Sequence, residues 1–113
     1  MVNEHHGTCH CGRIRLVLCD APQEAFECNC SICRRTAALW HYCPPDAVSV
    51  TGEAVAYRQG DRTLDLWHCA ACGCTTHWTP TDAAYGRMGI NLRMFDPALW
   101  AHLPRRLIDG ASY

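Results

Sequence analysis

The sequence predicts a mainly β domain whose small sheets are held together by bound metal. Short segments alternate between apolar and polar residues, and Gly or Pro separates them. Helical periodicity is nearly absent, and 10 cysteines occur in a chain of 113 residues. Because so short a chain buries little apolar surface, bound metal would add stability that its core cannot supply. We therefore expect residues 1–113 to form a single domain with one or two short helical turns.

The alternation of residue types predicts most of the strands. Residues 12–18 place Ile14, Leu16 and Leu18 on one face and arginines on the other, which is typical of a half-buried strand. Other extended segments are predicted at residues 26–30, 37–43, 48–51, 54–58, 63–69, 75–79 and 87–93. Many short strands of this kind are typical of a mainly β domain.

Proline and glycine mark the ends of several strands. The Pro44-Pro45 pair cannot continue a central β-ladder, so it ends the aromatic segment before it. Gly52 predicts a bend between two short strands, and Gly60-Asp61 predicts the next turn.

One short helix is predicted near the C-terminal end. Asp96 is a natural N-cap, Pro97 occupies the first helical position, and Phe95 can pack onto Trp100 as a hydrophobic staple. Pro104 ends this segment because proline cannot continue a helix.

Two further local predictions concern the first third of the chain. Ser31 can cap a single helical turn that runs through Arg35. His5 and His6 are predicted to lie in a frayed terminus rather than in a metal site.

Seven of the cysteines fall into groups of two, three and two along the chain. These groups are Cys9 and Cys11; Cys28, Cys30 and Cys33; and Cys69 and Cys72. The N-terminus has no apolar segment of the kind found in a secretory signal, so we expect a cytoplasmic protein with reduced thiols. Closely spaced reduced cysteines indicate metal ligands rather than disulfides.

The two outer pairs predict a closed structural site. Cys11 and Cys72 are each followed directly by glycine, Gly12 and Gly73, which can turn the backbone through positive φ and aim amides at the sulfurs. Four thiolates from two such knuckles match tetrahedral zinc. The predicted ligands are Cys9, Cys11, Cys69 and Cys72.

The middle group predicts an open, substrate-facing site. Cys28, Cys30 and Cys33 supply three thiolates, and a three-ligand zinc keeps one position for water or substrate. Arg34 and Arg35 follow at once and could offset the excess negative charge or bind an incoming carboxylate. The alternative is that both arginines are simply solvated.

Other assignments stay open at the level of sequence. A fourth protein ligand would close the middle site; the candidates are Cys43, Cys74, His10, His41 and His77. Cys19, Cys43 and Cys74 could instead be small buried hydrophobes. An iron–sulfur cluster also uses three or four cysteines, although the spacing here matches no common ferredoxin pattern.

The amino-acid composition argues against nucleic acid and against a membrane as partners. The formal net charge is -1 and all 10 basic residues are arginine, with no concentrated basic patch, which argues against nucleic acid as a partner. No apolar run approaches the roughly 18 residues of a membrane span. Exposed strand edges are compatible with a homodimer.

Four segments together resemble one protein family. They are Cys9-His10-Cys11-Gly12, Cys28-Asn29-Cys30-Ser31-Ile32-Cys33-Arg34, His68-Cys69-Ala70-Ala71-Cys72-Gly73, and the tail from Asn91-Leu92-Arg93 through Asp109-Gly110-Ala111. In that order they resemble the glutathione-dependent formaldehyde-activating enzyme (GFA) family, which also includes centromere protein V. The resemblance implies a β-tent-like fold and two zinc ions per chain, a structural one on the outer pairs and a second at the middle triad. Cys74 stands where the family pattern leads us to expect a small hydroxyl residue.

The resemblance also implies an activity. A carbon–sulfur lyase of this family joins glutathione, as thiol co-substrate, to formaldehyde and forms S-hydroxymethylglutathione. The expected partners are therefore a small-molecule thiol and an aldehyde. A non-catalytic zinc module that binds glutathione or a protein partner would use the same cysteines, and a nucleic-acid-binding zinc ribbon is a third reading.

Overall fold

The computed structural model describes residues 4–58 and 62–112, and it is mainly β as predicted. The strands are β1 (His5–Thr8), β2 (Arg15–Leu18), β3 (Ala25–Cys28), β4 (Trp40–Cys43), β5 (Val48–Thr51), β6 (Ala54–Arg58), β7 (Leu64–Cys69), β8 (Thr75–Pro80), β9 (Met88–Asn91) and β10 (Arg105–Ile108). The α-helical turns are α1 (Cys33–Thr36) and α2 (Pro97–Trp100), and the 3₁₀ turns are Pro45–Ala47, Ala83–Tyr85, Leu92–Met94 and Gly110–Ser112. The turn predicted at Gly60-Asp61 lies outside the described residues.

These strands form two sheets of unequal size. The smaller sheet has the order β1-β2-β5, and the larger has the order β10-β3-β4-β9-β8-β7-β6. Neighbouring strands are antiparallel except β10 and β3, which pair in parallel with Arg105 opposite Ala25 and Ile108 opposite Cys28. The cysteine groups lie at strand ends: Cys28 ends β3 and Cys69 ends β7.

The main hydrophobic core contains residues from both sheets. Ile14, Leu16 and Leu18 are completely buried, as their alternation predicts, and they share one cluster with Ile90 and Leu92 from the region of β9. Burial of this apolar surface is the main force that keeps the two sheets together.

The opposite face of the larger sheet carries a second cluster. Trp40, Leu66 and Trp78 are buried there, and Tyr42 and Leu64 pack against them. Successive residues of a strand point to opposite faces, so β4 sends Trp40 and Tyr42 to this cluster and Cys43 to the main core. The larger sheet thus separates a structural core from an aromatic face.

Several local predictions are confirmed around α2. Asp96 caps the helix, because its Oδ1 accepts a hydrogen bond of 2.9 Å from the Ala98 amide, and Pro97 is the first helical residue. The Trp100 indole donates a hydrogen bond of 3.0 Å to the Phe95 carbonyl.

Two predictions near the N-terminus and in the cysteine loop are wrong, and one strand near the C-terminus is missed. Ser31 does not cap α1; the cap position is Ile32, without a side-chain cap, and the turn begins at Cys33. His5 and His6 lie in β1, paired with Leu18 and Val17, rather than in a frayed end. The sequence pattern does not predict strand β10, because its partner β3 is distant in the sequence.

The described residues include no helix long and apolar enough to cross a membrane.

His77 is a buried titratable side chain on β8. Its ring is stacked on Trp67, with centroids 5.9 Å apart, and its Nδ1 is 2.8 Å from the Thr76 hydroxyl oxygen. Burial disfavours the charged imidazole and lowers the pKa of His77 to about 4.

This burial predicts an acid-dependent loss of stability. The unfolded state binds a proton at His77 below about pH 6.5 and the folded state only below about pH 4, so stability falls as pH drops through that window. At pH 5 we expect a loss of about 2 kcal/mol relative to pH 7.5 from this residue. Urea unfolding of the wild type and of His77→Gln at pH 7.5 and pH 5 measures this loss of stability.

The exposed His102 provides the matched control, because His102→Gln should keep the wild-type dependence on pH. Equal pH dependence in wild type and His77→Gln would contradict the prediction.

Candidate metal centres

The two outer cysteine pairs converge on one point. The Sγ atoms of Cys9, Cys11, Cys69 and Cys72 all lie within 4.8 Å of one another. The Sγ of Cys11 is 3.6 Å from that of Cys9 and 3.6 Å from that of Cys69. Four sulfurs at zinc–sulfur distances of about 2.3 Å in a tetrahedron would be about 3.8 Å apart. The spacing therefore fits one tetrahedral ion, and we name this group the outer cluster.

Two glycine turns position the sulfurs of the outer cluster. Gly12 has φ +82° and donates its amide to the Cys9 carbonyl, and Gly73 has φ +80° and donates to the Cys69 carbonyl. A Cβ built on either glycine would have no atom within 4 Å apart from its neighbours in the chain. Glycine is therefore needed at both positions because of the positive φ and not because space is short. These turns aim amides at sulfur: Ile14 donates to Cys9 Sγ at 3.3 Å, and Cys72 donates to Cys69 Sγ at 3.4 Å.

Other hydrogen bonds favour the thiolate form of Cys72 and Cys11 in the outer cluster. Hydrogen bonds from the Cys74 and Cys11 amides lower the pKa of the Cys72 thiol to about 5. The Arg13 amide and side chain lower the pKa of Cys11. At Cys69 the Cys72 and Ala71 amides act to lower the pKa, but burial and the neighbouring thiols outweigh them and raise it. Thiolates are the form that binds a cation, so the hydrogen bonds prepare Cys72 and Cys11 for a metal.

The middle cysteines form a second group, the triad. Cys28 ends β3, Cys30 lies in the loop, and Cys33 begins α1, which brings their three Sγ atoms within 4.8 Å of one another. The Cys33 amide donates to Cys30 Sγ at 3.4 Å, and the Trp40 indole donates to Cys33 Sγ at 3.5 Å. A one-turn helix and one tryptophan therefore fix the direction of two of the three sulfurs.

The protein environment shifts the pKa values of Cys30 and Cys33 in opposite directions. Burial raises the pKa of Cys33 to about 12. Burial also acts to raise the pKa of Cys30, but hydrogen bonds from the Cys33 amide and from neighbouring thiols outweigh it and lower that pKa. Full ionisation of the triad thus calls for a cation beside it.

The triad has no fourth protein ligand in the part of the chain that the structure describes. None of the five candidates from the sequence, Cys43, Cys74, His10, His41 and His77, belongs to this cluster, and neither does any Asp or Glu. Cys43 is instead buried in the main core, where burial raises its pKa to about 11. His77 stacks on Trp67.

An apolar cavity of about 160 Å³ adjoins the triad. All three cysteines line it, together with Ile32, Trp40, Tyr42, Leu64, Leu66 and Trp78. A small molecule that approached the three sulfurs from this cavity would be surrounded by aromatic and aliphatic side chains.

The C-terminal segment packs against another side of the triad. A Cβ at Gly110 would lie 2.5 Å from Cys28 Sγ and 3.1 Å from Cys30 Cβ, so only glycine fits. Asn29 holds this segment, because its Nδ2 donates to Asp109 Oδ1 at 2.9 Å and its Oδ1 accepts from the Ala111 amide at 2.9 Å. The sequence marks Asp109-Gly110-Ala111 as a motif, but its proximity to the triad follows only from the pairing of β10 with β3.

A comparison with protein families identifies the chain. Residues 4–106 match the model of the family described as glutathione-dependent formaldehyde-activating enzyme. This chain belongs to the GFA family. The resemblance inferred from the cysteine motifs is therefore confirmed.

Known structures agree with the fold of this GFA-family protein. A crystal structure of a Rhodobacter sphaeroides protein is similar to it, with a TM-score of 0.72 and 27% sequence identity. The match covers 89% of this chain and 99% of that one. The fold of this chain is thus shared with a solved protein.

The donor sets of both clusters suit zinc. Thiolate sulfurs favour zinc and other soft metals over magnesium or calcium, and four sulfurs in a tetrahedron match the commonest structural zinc site. Each of the two cysteine clusters of this GFA-family protein could hold one metal ion.

The arginines that follow the triad lie at the surface. Arg34 and Arg35 are exposed, and Arg35 Nη1 donates a hydrogen bond of 2.7 Å to the Ser31 carbonyl across the cysteine loop. Neither lines the cavity beside the triad. Their role in binding a substrate stays a prediction.

Metal stoichiometry tests the two-cluster assignment. We expect two zinc ions in the wild type by elemental analysis, and one in each of Cys30→Ser and Cys11→Ser, because a lost thiolate weakens only its own cluster. Cys11→Ser should also lower thermal stability more, since the outer cluster links two hairpins. Cys19→Ser, outside both clusters, should retain two ions. Loss of all metal from Cys30→Ser would contradict the assignment.

Gly110→Ala tests the packing of the C-terminal segment against the triad. The added Cβ cannot share space with Cys28 Sγ, so either the sulfur or the segment must move. We expect zinc affinity to fall about ten-fold at the triad and not at the outer cluster, measured by competition with a chelator. Ala111→Val, at the exposed neighbouring position, is the control and should keep both affinities. Unchanged affinity in Gly110→Ala would show that this contact is not needed.

Proposed function

We propose that this GFA-family protein is a zinc-dependent carbon–sulfur lyase that joins glutathione, or a similar thiol, to formaldehyde and forms S-hydroxymethylglutathione. Cys28, Cys30 and Cys33 would hold the reactive zinc, and the outer cluster would hold a structural one. The observation that supports this best is that the triad lacks a fourth protein ligand among the described residues and adjoins a cavity. An open position beside three thiolates is the arrangement of a catalytic zinc site.

The reaction needs little more than an ionised thiol and an orienting site. The sulfur of the thiol bonds to the carbonyl carbon, the carbonyl π electrons move to oxygen, and that oxygen takes the proton that the thiol gave up. When bound, zinc would lower the pKa of a thiol in its fourth position, which is about 8.5 for a free thiol, and so supply thiolate at neutral pH.

The residues of the chain would orient the reactants and exclude water. The Cys33 amide and the Trp40 indole donate to sulfurs of the triad and hold them in place. The apolar walls of the cavity limit access of water to the carbonyl carbon. Tyr42 lines the same cavity, and burial raises its pKa, so its hydroxyl keeps its proton and can donate to the carbonyl oxygen.

The proposed function also leads to proposals about the cellular compartment and the domain organisation. Free thiolates and glutathione coexist in the reducing cytoplasm, so we place the protein there. We further propose that the chain acts as a single domain, with both clusters in one folded unit.

Exchange spectroscopy tests the activity. With ¹³C-formaldehyde and glutathione, the zinc-loaded wild type should speed formation and breakdown of the adduct well above the spontaneous rate. Cys30→Ser should reduce exchange to that background rate, because it removes one of the three ligands. Cys19→Ser is the matched control and should keep the wild-type rate. Tight binding of glutathione with no acceleration would instead support a non-catalytic zinc module.

A further inference from the structure

The space beside the triad is much larger than formaldehyde needs. A water molecule takes about 30 Å³ of liquid volume, and formaldehyde has only two heavy atoms. The cavity that the triad lines holds about 160 Å³, and a neighbouring cavity holds about 530 Å³. Leu64 and Trp78 line both. The two cavities therefore adjoin each other at Leu64 and Trp78. Together they reach from the triad past Trp78 to Tyr85, and this pair of cavities is here named the aromatic groove.

Aromatic rings follow one another along this groove. Tyr42 and Trp78 have ring centroids 6.0 Å apart at 58°, and Trp78 and Tyr85 have centroids 6.5 Å apart at 44°. Trp78 packs directly on Gly89, where a Cβ would overlap the indole ring, so the strand beneath Trp78 fixes its position. Tyr85, at the outer end, is 59% exposed. An exposed ring that continues a row formed by the half-buried Tyr42 and the buried Trp78 is a suitable contact for an apolar ligand.

The charge of the groove does not suit the body of glutathione. Among the described residues that line the two cavities, Asp82 carries the only full charge outside the cysteines, and no arginine lines either. Asp82 Oδ1 accepts a hydrogen bond of 3.0 Å from the Ala84 amide and so holds the turn that bears Tyr85. Arg87 packs on the ring of Tyr42, with its guanidinium carbon 5.0 Å from the ring centroid, but it lines a separate cavity. The two carboxylates of glutathione would therefore find no cation among the residues that line the groove, and an unpaired charge in an apolar site is costly.

We propose that the aromatic groove binds an uncharged, apolar substituent of aromatic size on the adduct formed at the triad. The substituent would be attached either to the thiol or to the carbonyl carbon of an aldehyde larger than formaldehyde. The inference rests on the proposed function only in that an adduct forms at the triad. Binding of the substituent in the groove does not depend on that reaction. Any glutathione moiety would then extend away from the groove into solvent.

Tryptophan fluorescence of the zinc-loaded protein tests the proposal, because Trp40 and Trp78 line the groove. One titration compares benzyl mercaptan with glutathione. A second compares phenylacetaldehyde with acetaldehyde, both with excess glutathione present. We expect at least about a ten-fold preference for the aromatic probe in one of the two titrations, by burial of its ring. The titration that shows the preference tells which reactant carries the substituent. Absence of a preference in both overturns the proposal.

Tyr85→Ala tests whether the preference for the aromatic probe arises from binding in the aromatic groove. Tyr85 is exposed, so its removal should leave the fold intact and weaken binding of the preferred aromatic probe about five-fold. Tyr57→Ala is the matched control, since Tyr57 is 53% exposed on β6 and lines neither cavity. An undiminished preference in Tyr85→Ala would overturn the assignment to this groove.

The two proposals fail separately in these experiments. If aromatic probes bind as expected but no thiol adduct forms faster than spontaneously, the groove assignment stands and the lyase activity does not. If glutathione and formaldehyde are accelerated but neither titration prefers the aromatic probe, the activity stands and the groove assignment is overturned.

Discussion

The convergence of seven cysteine sulfurs on two points is the constraint on which the rest of this structure depends. The described strands are only four to six residues long, and a chain of 113 residues buries a small core. The contact between Cys11 and Cys69 joins hairpins that are 58 residues apart in sequence. Cross-linking such a distant pair removes much of the freedom of the unfolded chain. Metal ions bound at the two cysteine clusters would therefore compensate for a small core.

The two faces of the larger sheet have different roles. Alternation along β4 directs Cys43 to the main core and Trp40 and Tyr42 to the opposite face, beside the triad. The same strand thus contributes to stability on one side and to the surroundings of the triad on the other. Because the core face fixes the register of the strand, it also fixes where the aromatic rings lie.

Local patterns in the sequence were sufficient for most of the fold and for the cysteine groups. Alternation predicted β5 and β6 with the bounds that the structure has, and cysteine spacing followed by glycine predicted the outer cluster. The failures concern contacts between distant residues. Strand β10 depends on β3, and the need for Gly110 depends on its approach to Cys28. The aromatic groove combines side chains from β4, β7 and β8, which no short pattern brings together.

The parallel pairing of β10 with β3 has a consequence for the order of folding. Residues 105–108 meet residues 25–28, so this contact closes most of the chain into one loop. Contacts of such high sequence separation form slowly, since the entropy of loop closure must be overcome first. The nascent triad consequently spends part of the folding reaction without its C-terminal cover, when its thiols are open to oxidants. Early capture of zinc would protect them during that interval, and cellular zinc supply would then influence the yield of native protein.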